Sequence, residues 1–108
     1  MNEHIGQEEI LFIIKEIENN PSTTQRTLSQ KIGISLGKTN YLLKELIKKG
    51  FIEASNFSNN PGKLKKINYI LTAKGFEHKI ELMHLFLKIK EVEYNSLKQD
   101  LERITNGA

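Results

Sequence analysis

The sequence contains no cysteine. Disulfide bonds, thiol catalysis and a cysteine-ligated zinc site are therefore excluded, and a cysteine-free chain suits the cytosol. Long apolar runs are also missing, because the longest one, residues 10–14, is far too short to span a bilayer. The N-terminal residues lack the basic start and apolar stretch of a signal peptide. We therefore expect a cytoplasmic protein that makes no use of a membrane.

Catalytic motifs are scarce as well. The sequence shows no Ser/His/Asp arrangement and no glycine-rich loop that would cradle a phosphate. Glu81 and His84 have the Glu-x-x-His spacing of helical-bundle metal sites, and Glu77 lies one turn earlier. These residues fall on the charged stripe of the predicted last helix, so we interpret them as solvated side chains. We expect no metal, no cofactor and no enzymatic activity.

The net charge is mildly positive, but its distribution is uneven. The 108-residue chain, a length that fits one domain, carries a formal charge of +3. Acidic residues concentrate near the two ends, whereas the middle third contains Lys38, Lys44, Lys48, Lys49, Lys63, Lys65 and Lys66. This asymmetry indicates one basic surface, which is typical of proteins that bind a polyanion.

Residues 24–52 have the pattern of two short helices joined by a tight turn. Thr24 is the predicted N-cap of the first helix, and Gly33 is its predicted stop. Ser35 is the predicted cap of a second helix over residues 36–49, which carries a continuous apolar stripe. This is the helix-turn-helix pattern, in which the second helix enters the major groove of DNA.

The polar face of the second helix carries side chains suited to DNA. Asn can pair with adenine through two hydrogen bonds, and Lys can reach guanine or a phosphate. A glycine in the first turn leaves room for another backbone to approach closely. The same face is also compatible with an ordinary solvated helix. Its residues are Gly37, Lys38, Asn40, Tyr41 and Lys44.

A helix precedes this stretch, and a β-hairpin follows it. Apolar residues at helical spacing predict a helix over 7–19, on which Phe12 lies opposite the apolar stripe. Residues 51–54 and 67–71 are predicted strands, separated by a segment rich in turn-forming residues. Because lysines lie near the tip of this hairpin, we interpret it as the wing of a winged helix.

A long helix, capped by Thr72, is predicted from Ala73 to about Ile104. It would be about 48 Å long and would overhang a body about 30 Å across. Its heptad stripe comprises Ile80, Met83, Leu87, Tyr94, Leu97, Leu101 and Ile104, with Lys90 interrupting it. Its second stripe comprises Leu82, Leu85, Phe86, Ile89 and Val92.

A helix that is apolar on two sides has to be buried on two sides. We expect one stripe to pack on the helix's own body and the other to meet a second copy, which leads into a two-stranded coiled coil. Which stripe faces the partner stays open at this point. The expected dimerisation residues are Phe12, Leu82, Leu85, Phe86, Ile89, Tyr94, Leu97, Leu101 and Ile104.

Four segments of the sequence resemble the MarR-type winged-helix transcriptional regulators. They are QRTLS at 25–29, GISLGKTNYLL at 33–43, KGFI at 49–52 and LTAKG at 71–75. The resemblance covers about residues 8–95, and the SLGKTNYLL run is most similar to a small subgroup associated with exopolysaccharide gene clusters. The expected fold is mainly α with a small β-hairpin: a winged helix-turn-helix domain over 1–75 and a C-terminal dimerisation helix over 76–108.

The resemblance implies a homodimer that binds double-stranded DNA near promoters. The second helix would enter the major groove, and the wing would follow the backbone or minor groove. Thr24 and Gln25 would meet phosphate at a helix N-terminus, where free N–H groups favour anions. The expected DNA-facing residues are Thr24, Gln25, Ser35, Gly37, Lys38, Asn40, Tyr41, Lys44, Lys63, Lys65 and Lys66.

The sequence departs from the larger family in two ways. Residues 61–65 read PGKLK where the family wing has an Asp-x-Arg pattern. The extended N-terminal helix and the second C-terminal helix of full-length members are missing, and those elements help to form the effector pocket. Sensing of a small-molecule effector is therefore in doubt. The alternative function is a winged-helix module that docks onto another protein and does not bind DNA.

Overall fold

The computed structural model describes residues 4–56 and 67–107. In chain order its elements are α1 (His4–Asn19), α2 (Gln25–Ile32), α3 (Leu36–Lys48), β1 (Ile52–Asn56), β2 (Ile67–Leu71) and α4 (Ala73–Asn106). β1 and β2 pair as a two-stranded antiparallel sheet in which Ile52 lies opposite Leu71. The predicted fold, a mainly α winged helix-turn-helix with a long last helix, is confirmed.

Two predicted boundaries are corrected by the structure. α1 begins at His4 and not at residue 7, because the apolar spacing that predicted the helix starts at Ile10 and does not indicate how far the helix extends before it. β1 runs from Ile52 to Asn56 and not over 51–54, because its far end is paired with Ile67 of β2. Strand length depends on this pairing partner, which lies elsewhere in the sequence.

Local capping determines where the two helices of the helix-turn-helix begin and end. The Thr24 hydroxyl accepts the N–H of Thr27 at 3.0 Å, which satisfies one of the free donors at the start of α2. The Ser35 hydroxyl accepts the N–H of Lys38 at 3.0 Å at the start of α3. α2 ends at Gly33, whose φ of 80° is left-handed and easily adopted only by glycine. The predicted caps and stop are confirmed.

The core forms where α1 packs against the other helices and the hairpin. Its most deeply buried side chains are Ile13, Ile14, Ile17, Leu28, Thr39, Leu43, Leu46 and Ile52. Burying each of the large aliphatic side chains stabilises the fold by about 1.5–3 kcal/mol. α3 contributes one whole side to this core, so its opposite side is fixed toward solvent.

The start of α4 is locked against the end of the helix-turn-helix. The Thr72 hydroxyl accepts the N–H of Gly75 at 2.9 Å, as predicted for an N-cap, and donates to the carbonyl oxygen of Gly50 at 2.6 Å. The Thr72 N–H donates to the carbonyl oxygen of Phe51 at 3.1 Å. A Cβ on Gly75 would overlap this Phe51 oxygen and would lie 2.6 Å from a methyl group of Leu71. Glycine is therefore required where α4 leaves the hairpin.

α4 packs on the body with its first half and projects beyond it with its second. The molecule measures 72 × 26 × 25 Å, and a helix of 34 residues is about 51 Å long. Every residue from Lys90 to Gly107 is exposed in a single copy of the chain. The predicted overhang is therefore present. No helix in the two described ranges combines the length and apolar character needed to cross a membrane.

The second stripe of α4 faces the chain's own body from Leu82 to Ile89, whereas its last member, Val92, is exposed. Leu82 and Phe86, expected at the dimer surface, are only 3% and 9% exposed and belong to the core. Leu85 and Ile89 are half-buried and pack against the same core. Because they are already buried in one copy, Leu82 and Phe86 offer almost no surface to a second copy. The heptad stripe is the one left exposed.

Candidate nucleic-acid interface

α3 presents a polar face directly opposite its buried side. Buried Thr39, Leu43 and Leu46 hold the helix on the body. A set of exposed residues at the i, i+4, i+7 and i+11 spacing of a single helix face points the other way. This set, the outward face, consists of Gly37, Tyr41, Lys44 and Lys48. Tyr41 is 62% exposed, so an aromatic ring and two ammonium groups stand free for a partner.

Lys48 was not among the predicted DNA-facing residues. Lys48 follows Lys44 by four residues, and this helical spacing could have predicted that both lysines lie on the same face of α3. The three predicted members of the outward face, Gly37, Tyr41 and Lys44, are all exposed. A Cβ on Gly37 would meet no atom within 4 Å, so the glycine leaves open space on this face and no packing requires it.

Asn40 lies at the edge of the outward face nearest to α2. Its Oδ1 accepts a hydrogen bond from Nε2 of Gln25 at 3.3 Å. The bond connects the first residue of α2 to Asn40 on α3, and it restricts how the Asn40 amide can turn. Because a carbonyl oxygen has two lone pairs, Oδ1 can accept a further donor. The structure therefore brings two predicted residues together, with Gln25 orienting Asn40.

Thr24 and Ser35 are the N-caps of α2 and α3, and both are exposed. Each stands at the end of a helix where free N–H groups and the helix dipole favour an anion. Their hydroxyl groups already accept an N–H from their own helix. Both predicted residues thus lie where a phosphate could approach the first turn of a helix.

Lys38 is engaged with a carboxylate of α1. Its Nζ donates to Oε1 of Glu9 at 3.1 Å and lies 3.1 Å from Oε2 of the same residue. The Glu9 side chain is only 13% exposed. Lys38 was predicted to face DNA, and in the structure its ammonium group is turned toward α1 and not toward the outward face.

Glutamates of α1 hold lysines on all three other helices. Glu16 pairs with Lys31 of α2 at 2.9 Å, and Glu18 pairs with Lys79 of α4. With Glu9 and Lys38, these ion pairs neutralise lysines that flank the body. In the part of the chain that the structure describes, no carboxylate lies within ion-pair distance of Lys44 or Lys48. The outward face therefore carries two lysine charges that no carboxylate of the described residues compensates.

The predicted wing lysines, Lys63, Lys65 and Lys66, fall outside the described residues. The paired strands β1 and β2 on either side of segment 57–66 are the base of the predicted wing. Elsewhere, Glu81 pairs with His78 at 3.5 Å, and the His78 ring stacks on Phe51 with 4.2 Å between ring centroids. Within the described ranges, no group of three His, Cys, Asp or Glu side chains could hold a metal ion.

The fold and the outward face together define a winged helix-turn-helix protein. Residues 9–53 match a family model described as winged helix-turn-helix DNA-binding. This segment contains α2, α3 and most of α1, and therefore the whole outward face. No curated protein matches the chain at a significant level.

Solved structures of similar fold include the following three. A Thermoplasma acidophilum protein regarded as a transcriptional regulator has 18% identity and a TM-score of 0.73, over 90% of this chain and 97% of that chain. Sso10a-2, a DNA-binding protein from Sulfolobus solfataricus, has 24% identity and a TM-score of 0.63, over 88% and 90%. Staphylococcus aureus MarR, in complex with salicylate and kanamycin, has 21% identity and a TM-score of 0.55, over 92% and 73%. At these identities the likeness establishes the shared fold.

Proposed function

We propose that the protein is a sequence-specific, double-stranded DNA-binding transcriptional regulator of the MarR type. The observation that carries this proposal is the outward face of α3, which is exposed and positively charged on a helix whose opposite side is fixed in the core. The second helix of a helix-turn-helix fits the major groove, and lysines on it reach phosphates and guanine. The family match over residues 9–53 supports the same function.

Different side chains serve different parts of recognition in this proposal. Lys44 and Lys48 neutralise phosphates beside the groove, and the N-termini of α2 and α3 approach further phosphates. Asn40, oriented by Gln25, reads an adenine edge. Tyr41 offers its ring and hydroxyl to the groove. The wing lysines Lys63, Lys65 and Lys66 add contacts to the backbone.

Phosphate neutralisation supplies most of the binding energy in such a complex. If two copies bind one site, the proposed lysines make on the order of six to ten phosphate contacts. Affinity then falls by roughly three to five decades between about 50 and 200 mM salt. The sequence-reading part, carried by Asn40, is insensitive to salt by comparison.

Separate substitutions of Asn40 and Lys44 distinguish recognition of a base from contact with the phosphate backbone. Asn40→Ala should weaken binding to the selected operator by about 1–3 kcal/mol and relax preference at one base pair in each half-site. Lys44→Ala should weaken binding to all duplexes alike and flatten the salt dependence, because it removes a phosphate contact. Fluorescence anisotropy with an operator obtained by selection from random duplexes, and with a scrambled duplex, measures both effects.

Lys88→Ala is the matched control, since Lys88 is an exposed lysine on α4, away from α3. It should leave both affinities and the salt slope unchanged. Equal effects of Asn40→Ala and Lys44→Ala on the scrambled duplex would show that the roles are wrongly assigned. Binding of no duplex by the wild type, even at low salt, would favour the protein-docking alternative.

We further propose that residues 76–108 form a homodimer through the heptad stripe. Tyr94, Leu97, Leu101 and Ile104 are exposed along the projecting half of α4, and monomeric proteins rarely expose so long an apolar stripe. Their alternating spacing of three and four residues is that of a coiled-coil seam. Ile80, Met83 and Leu87 extend the exposed stripe toward the body. A dimer would thus join two winged-helix bodies, residues 1–75, on one duplex.

Phe12 has a different environment from the heptad stripe. It is 37% exposed and lines a shallow groove with Lys31 and Ile32 of α2, whereas Glu18, on another side of α1, pairs with Lys79 of α4. The dimer proposal is therefore based on the heptad stripe and does not depend on Phe12.

The target genes are proposed from the resemblance of SLGKTNYLL to regulators of exopolysaccharide gene clusters. The operator selected from random duplexes should then occur in promoters of such genes. A two-fold dimer also predicts that its half-sites lie about one helical turn apart. Selected sequences that lack any repeat would argue against the paired arrangement.

A further inference from the structure

We infer that Glu9 withholds Lys38 from the DNA backbone and thereby weakens binding to every duplex, whatever its sequence. This inference rests on the proposed function, because it concerns how the same face of α3 meets DNA. Glu9 acts through Lys38, so it is a positioning residue and makes no DNA contact itself.

The geometry of the Glu9 carboxylate shows how firmly Lys38 is held. Nζ of Lys38 lies 3.1 Å from both carboxylate oxygens and donates to Oε1. Oε2 is buried and has no hydrogen-bond partner among the described residues. In the same part of the chain, no second cation lies within ion-pair distance of Glu9. Lys38 therefore supplies the compensation for this negative charge.

Lys38 stands close enough to the outward face to reach DNA if it were released. It directly follows Gly37 and lies one turn before Tyr41, at the edge of the outward face nearest to α1. A lysine has a flexible four-carbon stem, so its ammonium group can swing between two positions several ångströms apart. The two positions, on Glu9 and on a phosphate, exclude each other.

Lys38 pairs with the Glu9 carboxylate in preference to a DNA phosphate, because the carboxylate is much less exposed to water than the phosphate. Moving Lys38 to DNA would leave a carboxylate that is 13% exposed without a counter-charge, which is costly in a poorly solvated site. A DNA phosphate without Lys38 is still screened by water and by condensed counterions. The wild type therefore makes one phosphate contact fewer per copy than its lysine count suggests, and it is held less tightly on random DNA.

Glu9→Gln tests this inference, because the amide keeps the shape of the side chain and removes its charge. The freed Lys38 should raise affinity for a scrambled duplex about five- to tenfold per copy and steepen the slope of log K against log salt by about 0.9 per copy. The measurement is fluorescence anisotropy over a salt series, with thermal unfolding to show that each variant folds.

Glu16→Gln is the matched control. It removes the same charge from the same helix and frees Lys31, which lies in the last turn of α2 and not beside the outward face. It should change the salt slope much less than Glu9→Gln. Equal slope changes in the two variants would mean that net charge alone, and not the release of Lys38, is responsible.

Lys38→Met, made both in the wild type and in Glu9→Gln, gives a double-mutant cycle for the Glu9–Lys38 pair. In the wild-type background it should leave the salt slope unchanged, whereas in the Glu9→Gln background it should restore the wild-type slope. A slope that falls by a full contact in the wild-type background would show that Lys38 already binds phosphate, and would overturn the inference.

The salt slope of Lys44→Ala distinguishes failure of the Glu9 inference from failure of the proposed DNA-binding function. If Lys44→Ala flattens the salt slope while Glu9→Gln has no effect on it, only the role of Glu9 is overturned. If the wild type binds no duplex at all, the proposed function and this inference fall together.

Discussion

Replacing Leu97 and Leu101 together by Asp should separate the protein into single copies and lower its affinity for a two-half-site operator by about two to four decades. Both leucines are largely exposed in one copy, at 70% and 61%. In a coiled coil each would be buried, which contributes about 1.5–3 kcal/mol per side chain. Four aspartates in the seam would lose this contribution and place like charges against each other.

The expected loss of DNA affinity follows from the loss of linkage between the two bodies. Once one body is bound, the other is held near its half-site, so its binding is effectively intramolecular. Sedimentation at micromolar concentration reports the oligomeric state, and anisotropy reports affinity for one and for two half-sites. The single-half-site affinity should hardly change in the variant.

Asn95→Asp with Gln99→Asp is the control for this pair. These residues have the same four-residue separation in the projecting part of α4, and helical geometry places them on the side away from the heptad stripe. The control should remain dimeric. A wild type that sediments as a single copy at micromolar concentration would contradict the dimer, as would a dimeric Leu97→Asp, Leu101→Asp variant.

Gly75→Ala should lower the free energy of unfolding by about 3 kcal/mol, at the upper end of the usual cost of overpacking. The added methyl group would overlap the carbonyl oxygen of Phe51 and would lie 2.9 Å from its carbonyl carbon. These are backbone atoms, so relief requires α4 to move away from the hairpin. That movement would also weaken the bonds that Thr72 makes at the same junction.

Gly37→Ala shows what the same substitution does in open space. Both glycines lie near the starts of helices, but a methyl group on Gly37 would meet nothing within 4 Å. There the higher helix propensity of Ala should stabilise the fold, by up to about 1 kcal/mol. Chemical denaturation of both variants at one fixed protein concentration measures the contrast. Equal stabilities would mean that the α4 junction is looser than the structure shows.

The features that could be predicted from the sequence are those determined within a few residues. The caps at Thr24, Ser35 and Thr72 and the stop at Gly33 each depend on a bond three or four positions away. The apolar spacing along each helix is equally local. These signals were sufficient to predict the order of the elements and three of the four residues of the outward face, Gly37, Tyr41 and Lys44.

Contacts between distant parts of the chain could not be predicted in this way. Glu9 and Lys38 are 29 positions apart, and nothing near either residue indicates the other. The orientation of α4 is a similar case, because its two stripes have comparable apolar content. Only the packing of α4 on α1 decides that Leu82 is buried and Leu97 exposed. Long-range packing therefore determines which predicted site residues are paired or buried within one copy.

An NMR titration of the isotope-labelled protein with an operator duplex tests residue by residue whether the outward face of α3 binds DNA. The amide resonances of Gly37, Asn40, Tyr41 and Lys44 should shift most strongly, and those around Leu97 in the projecting part of α4 should hardly move. Shifts confined to α4 or to the groove beside Phe12, or no shifts on α3 even at low salt, would contradict DNA binding by this face.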